Sequence, residues 1–351
     1  MKHVDMIRDL TNANGISGFE EEVVGVIKKY AVSEDISVDT MNNVFLTKKQ
    51  NTNDRPVIMI DGHSDEVGFM VQFITANGLL KFIPIGGWQD ANIAAQKVRI
   101  RNKDGKYIKG VVASVPPHFL SAAQKDAPLK IENMLIDVGA TSRDEVINDF
   151  GIEVAAPVVP DVEFTINDNG IMCAKAFDDR IGAAAVIATM EELADESLDI
   201  DLIGTVSTQE EVGLRGAEVT VKTVKPAIAI VYEGTPADDT FTNQYETQAA
   251  LKKGPQLRHR DGSMITNPKF LAFVRQVAKE NNIPFQDAVR SGGGTDGGKI
   301  HLVSGAIPTI VIGMPVRYAH THYGYCAYDD FKNSVELGKA ILRKLTKDLK
   351  Y

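Results

Sequence analysis

Five stretches of the chain end an apolar run in Asp, Glu or His. They are Val57-Ile-Met-Ile-Asp-Gly-His63-Ser-Asp65, Ala176-Phe-Asp178-Asp179-Arg180, Ser207-Thr-Gln-Glu210-Glu211, Ala229-Ile-Val-Tyr-Glu233 and Arg317-Tyr-Ala-His320. Carboxylates beside a core are costly unless a cation meets them. Histidines and carboxylates without cysteine form a hard nitrogen and oxygen donor set, suited to Zn²⁺, Co²⁺ or Mn²⁺ in a catalytic rather than a structural site. The chemistry such a set supports is hydrolysis by water activated between two divalent ions.

Each piece has an expected part. In the step His63-Ser-Asp65, His63 binds metal while Asp65 orients the imidazole from behind. Asp178, at a strand-to-helix junction, would bridge ions about 3.5–4 Å apart, with Asp179 supporting the loop. The plainer alternative is that both carboxylates cap the helix and pair with Arg180. Glu210-Glu211 leads into the glycine-rich Val212-Gly-Leu-Arg-Gly-Ala217, with Glu210 expected as general base and Glu211 as ligand. Glu233 and either His320 or His322 complete the set. Singly, most of these residues are better explained as turns, caps or solvated charge, and their shared position at strand ends makes them a constellation. Ser291-Gly-Gly-Gly-Thr-Asp-Gly-Gly298 lacks the continuation of a phosphate-binding loop and is expected to shape the wall of the site.

The elements that must hold these residues can be read from periodicity. Ser17-Gly-Phe-Glu20 matches a capping box for a helix running towards Tyr30. Strands are predicted over Val44–Lys48 and Val57–Asp61, the latter a continuous apolar run up to its Asp, as in a strand covered on both faces. From 68 to 165, β-rich runs broken by Asn77-Gly78, Asp104-Gly105 and prolines hold one short helix, Ser142–Asp149. Beyond them follow a helix over Ile181–Ala194, strands over Asp201–Ser207 and Ala227–Val231, a helix over Asn267–Asn281, and a strand over Ile307–Ile312 before a turn at Pro315. A last helix starts at Asp329-Asp330, capped by them, with Phe331, Val335, Leu342, Leu345 and Leu349 near one face. The prediction is a discontinuous α/β domain over 1–67 and 166–351 and an inserted β-rich domain over 68–165. The acids and imidazoles then gather at the carboxyl edge of the sheet.

Bulk properties narrow the class. The chain has 351 residues and a formal net charge of -9, which argues against nucleic acid as a partner. No run approaches the roughly 20 apolar residues of a membrane span. Two cysteines, Cys173 and Cys326, make no disulfide framework, and the charged N-terminus lacks a signal-peptide core, so a cytoplasmic protein is expected.

Taken together, Gly-His63-Ser-Asp65-Glu-Val-Gly-Phe, Phe-Asp178-Asp-Arg-Ile-Gly182, Gln-Glu210-Glu211-Val-Gly-Leu-Arg-Gly-Ala217 and Arg317-Tyr-Ala-His320 resemble the dinuclear-metal aminopeptidases that assemble as tetrahedral (TET) particles, to which bacterial glutamyl aminopeptidases belong. The match runs in order along nearly the whole chain. The resemblance implies a mixed-sheet, three-layer α/β/α catalytic domain with an inserted small β-barrel-like domain for dimerisation, and dimers that build a homododecamer. It implies two divalent metal ions per subunit, Zn or Co with Mn possible: one on His63, Asp178 and Glu233, the other on Asp178, Glu211 and His320. Glu210 is then the base and Asp65 the carboxylate behind His63. Glu233 stands where most of the family has Asp, as in the glutamyl branch, and Thr321 replaces the usual Ser. The expected activity is removal of single N-terminal residues from short peptides, with preference for Glu or Asp. Arg258, His259, Arg260, Lys299 and Arg290 are the cations available to meet a substrate carboxylate. The rivals are a related two-metal deacylase, carboxypeptidase or glycan hydrolase, and a non-catalytic shell protein.

Overall fold

The computed structural model describes residues 1–123, 127–303, 305–348 and 351. At its centre is the apolar strand Val57–His63, which pairs in parallel with Asp201–Ser207 on one side and Ile228–Pro236 on the other. Ile228–Pro236 pairs in parallel with Thr309–Arg317, and antiparallel strands extend both flanks into a mixed sheet of eleven strands. Alternation along these strands explains the layers. Ile58, Ile60, Ile228, Ile230, Ile310 and Ile312 pack into one core, and Met59, Ala229, Val231 and Val311 into another, so both faces are covered. The first core surrounds the helix Phe177–Glu192, whose Gly182, Ala183, Ala184, Ala185 and Ala188 are all buried, which lets it lie close to the central strands. The second is covered by the helices Arg215–Val224 and Gly297–Ile300. The result is the expected α/β/α sandwich.

Strands between Gly68 and Pro160 do not join this sheet. Gly68–Ile74, Leu80–Ile85, Leu135–Asp137, Tyr107–Ala113, Lys97–Arg101 and Pro157–Pro160 close into a six-stranded barrel around Phe69, Phe82, Val98, Ile100, Ile136 and Val158. The short helix there spans Arg143–Asn148, with the Ser142 hydroxyl accepting from the Glu145 amide.

Four expectations are corrected. Ser17 and Glu20 form no capping box: the helix Glu21–Tyr30 has no side-chain cap, Ser17 Oγ donates to Asp65 at 2.6 Å, and Glu20 accepts from Gly18 N and Thr208 Oγ1. Both side chains are buried, and other partners claim them, an acceptor for Ser17 and donors for Glu20. The strand holding Glu233 runs on to Pro236, placing Glu233 inside the ladder opposite Gly313. Pro315 is no turn, because Thr309–Arg317 continues through it. It falls between the pairing at Gly313 with Gln256–Arg260 and the pairing at Val316 with Gly324–Ala327, a gap in which that edge has no partner to disappoint. Finally, the helix Tyr328–Lys344 has no side-chain cap, and Asp330 instead accepts from the amides of Lys252 and Gly254. Phe331, Val335, Leu342 and Leu345 are buried as expected, and Leu349 lies outside the described residues.

Candidate metal centre

His63 closes the central strand rather than following it, and the parallel register sets it beside Ser207, the last residue of the neighbouring strand. Its Nδ1 lies 3.1 Å from the carbonyl of Asp65, and since a carbonyl only accepts, Nδ1 carries a proton, which leaves Nε2 as the nitrogen that would meet a metal. That Nε2 faces Asp178 Oδ1 at 3.2 Å, Glu210 Oε2 at 3.8 Å and Glu233 Oε1 at 3.9 Å. On the other side of Asp178, Oδ2 lies 3.3 Å from His320 Nε2, which also stands 3.4 Å from Glu211 Oε2. The two oxygens of one carboxylate are thus divided between two imidazoles.

The junction that holds Asp178 departs from helical dihedrals at Asp178 and Asp179. Asp179 turns away and accepts from the amides of His63 (3.0 Å), Gly182 (2.9 Å) and Gly234 (2.8 Å). It therefore caps the regular helix and ties it to two strands. A Cβ at Gly234 would come within 2.6 Å of Phe177 O and 2.8 Å of Asp178 Cα, so only glycine admits the junction there. Arg180 does not pair with these aspartates. Fully buried, it reaches Glu66 and the carbonyls of Leu10, Ala13, Gly15 and Ser64.

Asp65 sets the glutamate pair. Its Oδ1 accepts from Glu210 N at 3.0 Å and its Oδ2 from Glu211 N at 3.2 Å, so the carboxylate beside His63 also fixes the backbone that aims both glutamates. Burial works against its ionisation, but His63 and Ser17 hold it below the usual carboxylate range.

The electrostatics fit a cation. Burial first, and then the surrounding carboxylates, push Glu210 and Glu233 well above their usual values, and Glu211 up to about 8. Burial also opposes charge on Asp178, yet hydrogen bonds with His320 and His63 hold it far down. His320 is raised to about 9 because Asp178 and Glu211 outweigh its burial. Buried Glu211 Oε1 and Glu233 Oε2 have no hydrogen-bond partner. More acid gathers here than two imidazoles neutralise, a demand that divalent cations satisfy. Two triads have ligand atoms within 4.8 Å of one another: His63, Asp178 and Glu211, and His63, Glu210 and Glu233. They cut across the division that the resemblance implies and bring Glu210 within ligand range. His322, the alternative to His320, is buried against Trp88 with both ring nitrogens unpartnered, and burial pushes it down to about 4.

A cavity of about 590 Å³ opens onto the cluster, lined by Glu210, Glu233, His320, Arg258, Arg290 and the Ser291–Gly294 stretch among others. Of the five candidate cations only Arg258 and Arg290 reach it. His259 pairs with Asp287, Arg260 with the Arg290 carbonyl, and Lys299 with Glu218. Sequence reasoning missed Ser17 and the buried acids Asp61 and Asp296, held by the hydroxyls of Thr205 and Ser207. For Asp61 a signal existed, an aspartate inside an otherwise apolar strand.

The profile of the M42 glutamyl aminopeptidase family matches residues 42–337. The glutamyl aminopeptidase of Lactococcus lactis is 32% identical, covering 98% of this chain and 97% of its own length. The lysyl aminopeptidase of Pyrococcus furiosus is 31% identical, with 97% of each chain covered. The crystal structure of a TET aminopeptidase from a marine sediment archaeon of the Thaumarchaeota superposes with a TM-score of 0.94 at 37% identity, covering 98% of this chain and 97% of that one. With the family profile spanning the cluster and relatives aligned over almost their full length, the chain belongs to the peptidase M42 family of aminopeptidases.

Proposed function

We propose that this aminopeptidase removes single N-terminal residues from short peptides at a two-metal centre, with preference for Glu and Asp. His63, Asp178 and Glu233 would hold one ion and Asp178, Glu211 and His320 the other, with Zn²⁺, Co²⁺ or Mn²⁺ matching the donors. The observation that carries this reading is the division of Asp178 between two imidazoles, the placement a bridging carboxylate needs. Bound there, divalent ions polarise the scissile carbonyl and lower the pKa of water. Glu210, held by Asp65, takes the proton from the attacking water and returns it to the leaving amine. Carboxylates at the floor of the cavity receive the free α-amine of the substrate.

Acidic preference is supported by Arg258 and Arg290 in the cavity wall. Arg258 already donates to Asp261, Gln256 and Thr235, which leaves one Nη1–H, whereas Arg290 donates to Asp238 and the Pro236 carbonyl and keeps Nε–H and one N–H on each terminal nitrogen for a substrate carboxylate. The relatives include both glutamyl and lysyl enzymes, so specificity rests on this wall rather than on the family. The same reading makes 1–67 and 166–351 the catalytic domain and 68–165 the dimerisation domain of a dodecameric TET particle in the cytoplasm.

The test is a panel of Glu-, Asp-, Leu- and Lys-anilides and an N-acetylated peptide on metal-stripped protein, with metals restored one at a time. Glu-anilide should turn over fastest and the acetylated peptide should resist. Glu210→Gln should keep its metal and lose about 10²- to 10⁴-fold in kcat. Faster turnover of Leu than Glu would end the acidic reading, and near-normal turnover by Glu210→Gln would end the assignment of the base.

A further inference from the structure

The two imidazoles of the cluster are anchored alike but from different places. His63 donates Nδ1–H to its own loop, two residues on. His320 reaches 233 positions back along the chain, to the carbonyl of Gly87 at 2.9 Å. Since a carbonyl only accepts, this contact keeps a proton on Nδ1 and points Nε2, the nitrogen a metal would take, towards Asp178 and Glu211. Gly87 follows the barrel strand Leu80–Ile85. A Cβ at position 87 would stand 3.1 Å from His320 Nδ1, a crowded contact that would push the ring by a few tenths of an ångström. Gly86 lies against the same cluster, where a Cβ would come within 3.3 Å of Glu211 Cβ.

The next residue completes the grip. Trp88 stacks on Phe69 of the barrel core with ring centroids 4.6 Å apart, and its Nε1–H donates to Gly68 O at 3.1 Å. Its ring meets His322 edge-on at 5.2 Å. His322 has no hydrogen-bond partner on either nitrogen, so aromatic packing is what holds it. The loop is tied locally by the Thr321 hydroxyl to Tyr318 and Tyr323, but His320 itself has φ 59, a left-handed conformation that its surroundings must help to stabilise.

We propose that Gly86-Gly87-Trp88 is a positioning element by which the barrel sets the imidazole of His320: the Gly87 carbonyl fixes the ring, and the Trp88 indole fixes the chain two residues beyond it. Gly87 and Trp88 are positioning residues and touch no substrate. The inference rests on the reading of His320 as a metal ligand.

The test is a titration of the metal-stripped full-length protein with Co²⁺, followed by its visible absorption, on Gly87→Ala, Trp88→Ala, Trp88→Phe and His320→Asn. Gly87→Ala and Trp88→Ala should weaken one of two Co²⁺ binding steps by about 10- to 100-fold, leave the other in place, and lower kcat more than they change KM. Trp88→Phe, which keeps the ring stack, should recover most of the loss. Wild-type Co²⁺ binding in Gly87→Ala and Trp88→Ala overturns the proposal, and if Trp88→Ala does not fold, Gly87→Ala decides alone. His320→Asn separates the two levels: if it weakens one step while Gly87→Ala does not, only this inference fails, and if it too binds as wild type, the ligand reading fails with it.

Discussion

His63 and His320 offer the same atom to the same aspartate from opposite settings. The His63 side chain is 1% exposed and the His320 side chain 38%. Behind His63 the support is layered. Glu66 sits between Lys175 at 2.5 Å and Arg180 at 3.1 Å, and Arg180 donates to Ser64 O at 2.6 Å, next to the histidine. Behind His320 stands a single carbonyl from the barrel. One half of the site is an extension of the core, where geometry is over-determined. The other half is assembled at the seam between sandwich and barrel, where it depends on how two folded units meet.

The largest expected effect tests that asymmetry directly. In metal-free protein, His63→Ala removes the partner of a buried carboxylate and should cost about 3–5 kcal/mol in urea unfolding. His320→Ala, at a partly exposed pair, should cost about 1 kcal/mol or less. Equal losses would mean that the two halves are equally embedded.

A smaller effect probes the layer behind His63. Burial pushes Lys175 down from the usual 10.5 to about 8, against the pull of Glu66. A lysine lowered in this way costs stability while it is protonated in both states, below about pH 8. Between there and 10.5 the unfolded chain alone keeps the proton, so stability rises with pH, by about 1.4 kcal/mol per unit for this group. Lys175→Met should abolish that rise in denaturation curves taken at pH 7.5 and 10. If both proteins follow the same curve, Lys175 titrates like a surface lysine and the support is softer than its burial indicates.

The smallest is Ser17→Ala. Loss of its hydrogen bond to Asp65 should cost about 1 kcal/mol while far-UV circular dichroism shows unchanged helix content. A drop in helicity would restore the capping role that the S-x-x-E pattern suggested.

That pattern shows where legibility ended. Ser17 and Glu20 carried a valid local signal, but both are buried, and hydrogen-bond demand from Asp65 and Thr208 overrode it. Asp329-Asp330 failed as caps for the same reason, with Asp330 drawn to the loop at Lys252–Gly254. Side-chain caps do form where no competing partner intervenes: Asn267 accepts from the amides of Lys269 and Phe270 at the start of Pro268–Glu280, and Ser142 from that of Glu145 at the start of Arg143–Asn148. Strand limits near Glu233 and Pro315 were misjudged because pairing with a neighbour, which periodicity does not contain, keeps both strands extended.

The sequence by itself determined the donor types, their order along the chain and their place at the ends of apolar strands, since strand period and residue chemistry are local properties. Tertiary structure decided which imidazole lies in the acidic cluster. His320 and His322 are two residues apart, and only the packing of Trp88 against one and the Gly87 carbonyl against the other separates their roles. It likewise chose Arg258 and Arg290 from five cations and divided the oxygens of Asp178. Each of these choices turns on contacts between segments far apart in the chain, set by how helices and barrel pack on the sheet.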